Sequence, residues 1–178
     1  MKAFFDIDTQ IDFIFPAGAL YTPGAEKVIP VVAALNQYAA AHDIVLVSTM
    51  CAHGEDAEEF KVWPPHCVAG TVGQQKPVAT LLADKTRQIF IEKDELDLFS
   101  NPAVLPLLDH LDIDECFVYG VLTEYCVKCA IMGLLKSGRN VWLVTDAIAH
   151  YSQQTGEQVI REFQAAGGKC TTAAAISQ

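Results

Sequence analysis

The sequence predicts an α/β fold, a mostly parallel sheet of six strands with helices on both faces. Three observations carry that expectation. Short β-prone runs alternate with helical patterns along the whole chain. Most of the runs are continuously apolar rather than alternating, which suits parallel strands covered on both sides. No repeat, low-complexity tract or Pro/Gly-rich linker divides the 178 residues. Residues 1–178 are therefore expected to form a single domain, long enough to bury a substantial core.

The strand candidates are "AFFDID" (3–8), "IVLVSTM" (44–50), "QIFIEK" (88–93), "CFVYGV" (116–121) and "NVWLVTDA" (140–147), with "KCTTAAAI" (169–176) as a weaker sixth. Between them, "AEKVIPVVAALNQYAAAHD" carries Val28, Val31, Val32, Leu35 and Tyr38 at helical spacing. Pro30 lies inside this pattern, so the regular helix should begin there, with proline in its first turn. "NPAVLPLLDHL" opens with Asn101 as a predicted N-cap and Pro102 at the first helical position. "EYCVKCAIMGLLKSG" stops at Gly138, a C-terminal signal, and "QTGEQVIREFQAAGG" is the last helix. The stretch 51–77 has no clear period, which is uncommon inside a compact domain unless it serves a function. It is a candidate site loop.

Composition excludes several partners. The formal net charge of -10 argues against a nucleic-acid groove or an anionic membrane surface, and an acidic surface is ordinarily a solubility feature. No apolar stretch reaches the roughly 18–20 residues of a membrane span. "MKAFFDIDTQIDF" carries three aspartates and cannot act as the apolar part of a signal peptide. The expected location is cytoplasmic. Six cysteines, Cys51, Cys67, Cys116, Cys126, Cys129 and Cys170, should be reduced there, so catalysis or metal binding is a better use for them than stapling.

In an open α/β sheet, ligands bind beyond the carboxyl ends of the strands. The first predicted strand ends at Asp8, the second runs into Cys51-Ala52-His53, the third ends at Lys93, and the fourth leads through a short turn to Cys126. A carboxylate, a thiol/imidazole pair, an amine and a thiol thus stand at four consecutive ends. Thr123 as N-cap would put Cys126 in the first helical turn, where unpaired N–H groups and the macrodipole favour thiolate and can hold an oxyanion. A nucleophilic Cys126 needs a base, which Asp8 can supply, and an organising charge, which Lys93 can supply. Taken singly, each has a plainer role: Cys126 a buried helix cysteine, Asp8 a loop-start cap, Lys93 a snorkelling lysine. Cys129, one turn on, reads as a small core residue.

Cys51 and His53 point the same way if the chain stays extended, and Glu59 and His66 follow in the loop. Thiolate, imidazole and carboxylate together suit zinc better than magnesium or calcium. The spacing is not that of a zinc finger, and any one of these histidines is more often a solvated loop residue.

The motifs resemble those of the nicotinamidase and isochorismatase-like cysteine hydrolases. "DIDTQIDF" is similar to that family's opening D-x-Q-x-D-F, "IEK" to its lysine segment, and "GVLTEYCV" to its nucleophile motif, in family order and across about residues 3–150. The resemblance implies a Rossmann-like six-stranded sheet of order 3-2-1-4-5-6 with Asp8, Lys93 and Cys126 as catalytic triad. "WPPHC" (63–67) resembles the nicotinamidase branch, which implies a divalent metal, zinc here, on Cys51, His53, Glu59 and His66. Cys51 stands where the family has aspartate. Phe13 and Trp63 match positions flanking a pyridine ring, though either can equally be a core residue. The implied reaction is hydrolysis of nicotinamide to nicotinate and ammonia, a step of NAD salvage, through a thioester. The oxyanion would lie on the N–H groups of Leu122 and Cys126, after a cis Val121–Leu122 peptide.

Other readings stay open at this level. A metal-free amidohydrolase of the same fold would act on an N-carbamoyl or ureido substrate. Isochorismatase itself does not need the cysteine. A thiol redox protein would use Cys126 and Cys129, yet such a pair should follow the first strand of a βαβ unit and would leave Asp8 and Lys93 unexplained. A non-catalytic binding protein is disfavoured by the intact triad. The expected partner is a small amide; a homo-oligomer is compatible with the sequence, which does not define the oligomeric state.

Overall fold

The computed structural model describes residues 1–177. Six strands, β1 (Lys2–Ile7), β2 (Val45–Cys51), β3 (Gln88–Lys93), β4 (Glu115–Gly120), β5 (Asn140–Ile148) and β6 (Lys169–Thr171), form one sheet of order β3-β2-β1-β4-β5-β6. Every pairing is parallel. Strand order reverses around β1, whose residues after Lys2 are all buried. The helices are α1 (Ile11–Ile14), α2 (Ile29–Ala41), α3 (Val104–His110), α4 (Lys128–Lys136), α5 (Gln153–Ala165) and α6 (Ala173–Ile176). α2 packs on β1 and β2, and α4 on β4 and β5. Phe4, Phe5, Leu35, Leu46, Tyr119, Ile131, Leu134 and Phe163 are among the fully buried side chains between them. No described helix is long and apolar enough to cross a membrane.

Three local expectations are corrected. "KCTTAAAI" is not one strand: it breaks after Thr171, because the Thr172 hydroxyl accepts the Ala175 N–H and starts α6. Asn101 does accept a backbone N–H, that of Ala103, but its amide also donates to Glu92 O, and the regular helix begins only at Val104. Thr123 is no N-cap. Its hydroxyl donates to Ala149 O, and Thr123–Val127 forms a five-residue π-type turn with Tyr125 at φ -119, ψ -105. The α-helix starts after Cys126, at Lys128.

Beneath the site lies a buried polar network. Asp6 accepts from Thr9 (2.7 Å), Asn36 (3.2 Å) and Ser48 (3.4 Å) and pairs with Lys76 at 3.1 Å, both side chains being inaccessible. Removing one partner of a buried ion pair leaves an uncompensated charge, which costs about 3–5 kcal/mol. Lys76→Met is therefore expected to lower the unfolding free energy by about 3 kcal/mol or more in urea titration. An unchanged midpoint would mean that the hydrogen bonds to Asp6 suffice without the ammonium.

Candidate functional site

The site is assembled where β1 lies between β2 and β4. Gly120 ends β4 at φ +121, and a Cβ there would meet Ile7 O at 2.1 Å, so only glycine lets the two strand ends close up. The chain then passes through the cis Val121–Leu122 peptide into the Thr123–Val127 turn. Asp8, at φ +46 just past β1, turns its carboxylate toward the same point. β2 and β3 pair with Cys51 opposite Lys93. Partners in a parallel register share a sheet face, which puts the thiol beside the ammonium.

Lys93 Nζ is the hub. It lies 2.8 Å from Asp8 Oδ2 and donates to Cys51 Sγ (3.3 Å), Cys126 Sγ (3.6 Å) and Glu95 O (3.0 Å). Asp8 also accepts from the Thr49 hydroxyl at 2.5 Å and from the Cys51 thiol at 3.6 Å. Burial pushes the Asp8 carboxyl up, but the facing ammonium and the Thr49 hydroxyl outweigh it and hold the group below the ordinary carboxylate range. Burial likewise works against a charged Lys93, yet the Asp8 carboxylate keeps it well above its usual value. For Cys126, the hydrogen bond with Cys51, burial and the Asp8 charge together hold the thiol well above the ordinary cysteine range, against the pull of Lys93. The Asp8–Lys93 pair thus stands beside the Cys126 sulfur. Cys126 lies in the Thr123–Val127 turn that runs into α4 rather than in the first turn of a helix capped by Thr123.

Asp8, Lys93 and Cys126 are thus in mutual contact. His53 Nε2 and His66 Nε2 lie 3.7 and 3.6 Å from the two Glu59 oxygens, and one ligand atom from each of these residues lies within 4.8 Å of the others. Ligands bonded to one tetrahedral zinc at about 2.0–2.1 Å sit roughly 3.4 Å apart, so this spacing is close to what a metal requires. Both ring nitrogens of the buried His53 have no hydrogen-bond partner among the described residues, an arrangement that native structures rarely leave unexplained. Burial pushes the His53 imidazolium down, although the Glu59 carboxylate opposes this, and a neutral imidazole is the ligating form. His66 Nδ1 lies 2.8 Å from Pro64 O, which orients the ring with Nε2 toward Glu59. These residues fit a divalent cation.

Cys51 does not join them. Its sulfur groups with Asp8 and Cys126 instead, whereas the resemblance implies it as a fourth ligand. A thiol reaches one bond less far from its Cβ than a carboxylate oxygen does, and the Lys93 ammonium holds it.

Above both clusters opens an apolar pocket of about 600 Å³, including its mouth. Phe13 and Trp63 line it, as do Leu20, Tyr21, Leu122 and Tyr125. Trp63 meets Tyr125 edge-on at 5.6 Å and Phe13 lies 5.4 Å from the His66 ring. Sequence reasoning missed the tyrosines. It also missed Gln10, whose amide clamps the end of β2 by donating to Cys51 O (2.8 Å) and accepting from Cys51 N (2.7 Å). Asp12 was missed as well; it holds the site loop through Cys67 N (2.7 Å). Both lie within "DTQIDF", and their places in the D-x-Q-x-D-F pattern were the available signal.

A model of the isochorismatase domain matches residues 2–175. The chain is 26% identical over 207 residues to the nicotinamidase of Escherichia coli strain K12, covering 97% of this chain and 95% of that one. Among solved structures it is similar to the pyrazinamidase of Pyrococcus horikoshii in complex with zinc, at 28% identity and a TM-score of 0.90, covering 96% of this chain and 98% of the other. It is also similar to an L. infantum protein in complex with nicotinate, at 26% identity and a TM-score of 0.86, covering 98% and 94% respectively. The all-parallel sheet, its strand order and a family model that spans nearly every residue agree, and the chain belongs to the nicotinamidase/isochorismatase-like family.

Proposed function

We propose that the protein hydrolyses a small aromatic carboxamide, nicotinamide, to the acid and ammonia through a thioester on Cys126. The class is that of hydrolases acting on amide carbon–nitrogen bonds. The observation that carries the reading is the contact of Asp8, Lys93 and Cys126 at the floor of an apolar pocket. Asp8 takes the Cys126 proton as the sulfur attacks the carboxamide carbon. Negative charge then moves from a carboxylate at 2.8 Å to a sulfur at 3.6 Å from the same ammonium. Lys93 offsets it throughout, so little reorganisation is needed. The backbone N–H groups of Leu122 and Cys126 hold the oxyanion, Asp8 returns its proton to the departing ammonia, and water then cleaves the thioester. Phe13 and Trp63 confine the flat ring.

His53, Glu59 and His66 would hold a divalent metal, zinc by the chemistry of the donor set. Such a metal would supply a Lewis-acid anchor for the ring nitrogen. Purified protein is accordingly expected to contain close to one equivalent of metal by elemental analysis. A chelator should raise KM for nicotinamide more than it lowers kcat, because the lost interaction is one of substrate binding. Cys51→Ala should keep the metal and His53→Ala should lose it. Ammonia release from nicotinamide, with and without chelator, tests the whole reading. Full activity on nicotinamide without metal would end the metal assignment, and metal-free protein that releases no ammonia from nicotinamide would favour the ureido amidohydrolase instead.

A further inference from the structure

Cys51 has no part in that chemistry, yet its sulfur is held in the reaction centre. It ends β2, is 2% exposed, and faces Cys126, itself 5% exposed, across the Lys93 ammonium, with the two sulfurs within 4.8 Å of each other. Both residues line the pocket, so a small solute that reaches one reaches the other. All six cysteines are free. The neighbour that "CVKC" offers, Cys129, lies instead on α4 and is not in this cluster.

We propose that Cys51 and Cys126 are a modification site: a hydroperoxide converts them to a reversible disulfide that silences the centre and shields Cys126 from further oxidation. Asp8 takes the Cys126 proton, as in the amide reaction, and Cys126 Sγ attacks one peroxide oxygen; the O–O bond breaks, and the sulfur becomes a sulfenic acid while the other oxygen takes that proton and leaves as alcohol or water. Cys51 Sγ then attacks the Cys126 sulfur, the S–O bond breaks, and hydroxide leaves with the Cys51 proton as water. Two thiols are oxidised to one disulfide, and the peroxide oxygens are reduced. A disulfide bond is about 2.05 Å long, so the sulfurs must approach by less than about 3 Å, a movement on the scale of side-chain rotation. Cys126 belongs to the irregular Thr123–Val127 turn rather than to the regular ladder of α4. The aspartate that the family carries at this position could not resolve a sulfenic acid in this way.

Formation of the bond rests on the geometry; only its effect on turnover rests on the reading of Cys126 as nucleophile. The experiment treats reduced whole protein with hydrogen peroxide or tert-butyl hydroperoxide, blocks remaining thiols by alkylation, and maps linked peptides by mass spectrometry in parallel with ammonia release. The expected result is a Cys51–Cys126 linked peptide, with at least about tenfold loss of activity that dithiothreitol restores. In Cys51→Ser, the same peroxide dose should leave Cys126 as sulfinic acid and a loss that dithiothreitol does not restore. Wild-type protein in which Cys51 is alkylated while Cys126 is sulfinic, or in which Cys126 is linked to Cys129, overturns the proposal. A Cys51–Cys126 link in protein that never hydrolyses nicotinamide would uphold the thiol pair and refute the nicotinamide reading, so the two failures are distinguishable.

Discussion

Replacing Cys126 by alanine is expected to lower amide hydrolysis by at least about 10³-fold, the scale of losing a nucleophile from a cooperating unit. Alanine removes the thiol proposed to form the thioester, and neither Asp8 nor Lys93 can take its place. Cys129→Ala should do much less to turnover, because that side chain sits half-buried on α4. Its effect should appear as a small drop in thermal midpoint. Steady-state ammonia release from both variants, with circular dichroism to verify folding, decides the matter. Equal losses of activity in the two would revive the redox-pair reading of "CVKC".

Asp8→Asn and Lys93→Met should each reduce kcat/KM about as far as Cys126→Ala, and the double variant should be little worse than either. Groups that act as one unit are strongly non-additive. The structural basis is the single ammonium shared by carboxylate and sulfur. Without Lys93 the carboxylate is buried and unpaired, so it becomes a protonated acid that can no longer accept the thiol proton. Without the Asp8 charge the ammonium remains, but no base does. Additive losses would mean independent supporting roles and would sink the triad. Lys93→Met also removes a buried ion-pair partner, so its thermal midpoint should be measured alongside its rate.

The centre was legible as a set of residues before it was legible as a geometry. Asp8, Lys93 and Cys126 announce themselves because each follows a continuously apolar run, and strand ends in a parallel sheet converge. His53, Glu59 and His66 were readable as ligand types in an aperiodic loop. Their convergence was not, because it depends on the His53–Val68 bridge and the 3₁₀ turn at Glu58–Lys61. Thr123 misled for a simple reason: a threonine before an acidic residue looks like a cap whether its hydroxyl faces its own helix or the neighbouring Ala149 carbonyl.

Cys51 shows where the boundary falls. The sequence alone determined that a thiol stands at the end of β2, two residues before a histidine, and with it five of the strands, their parallel sense and the three residues proposed as a catalytic trio. Which cluster that thiol serves was decided only by the tertiary structure. The β2–β3 register sets Cys51 opposite Lys93, and the short Cβ–Sγ reach then leaves it with the ammonium rather than with His53 and Glu59. Hydrophobic pattern along a chain encodes which segments become strands, because burial is a local property of each residue. Register and side-chain reach are properties of pairs distant in sequence, and no one-dimensional pattern carries them.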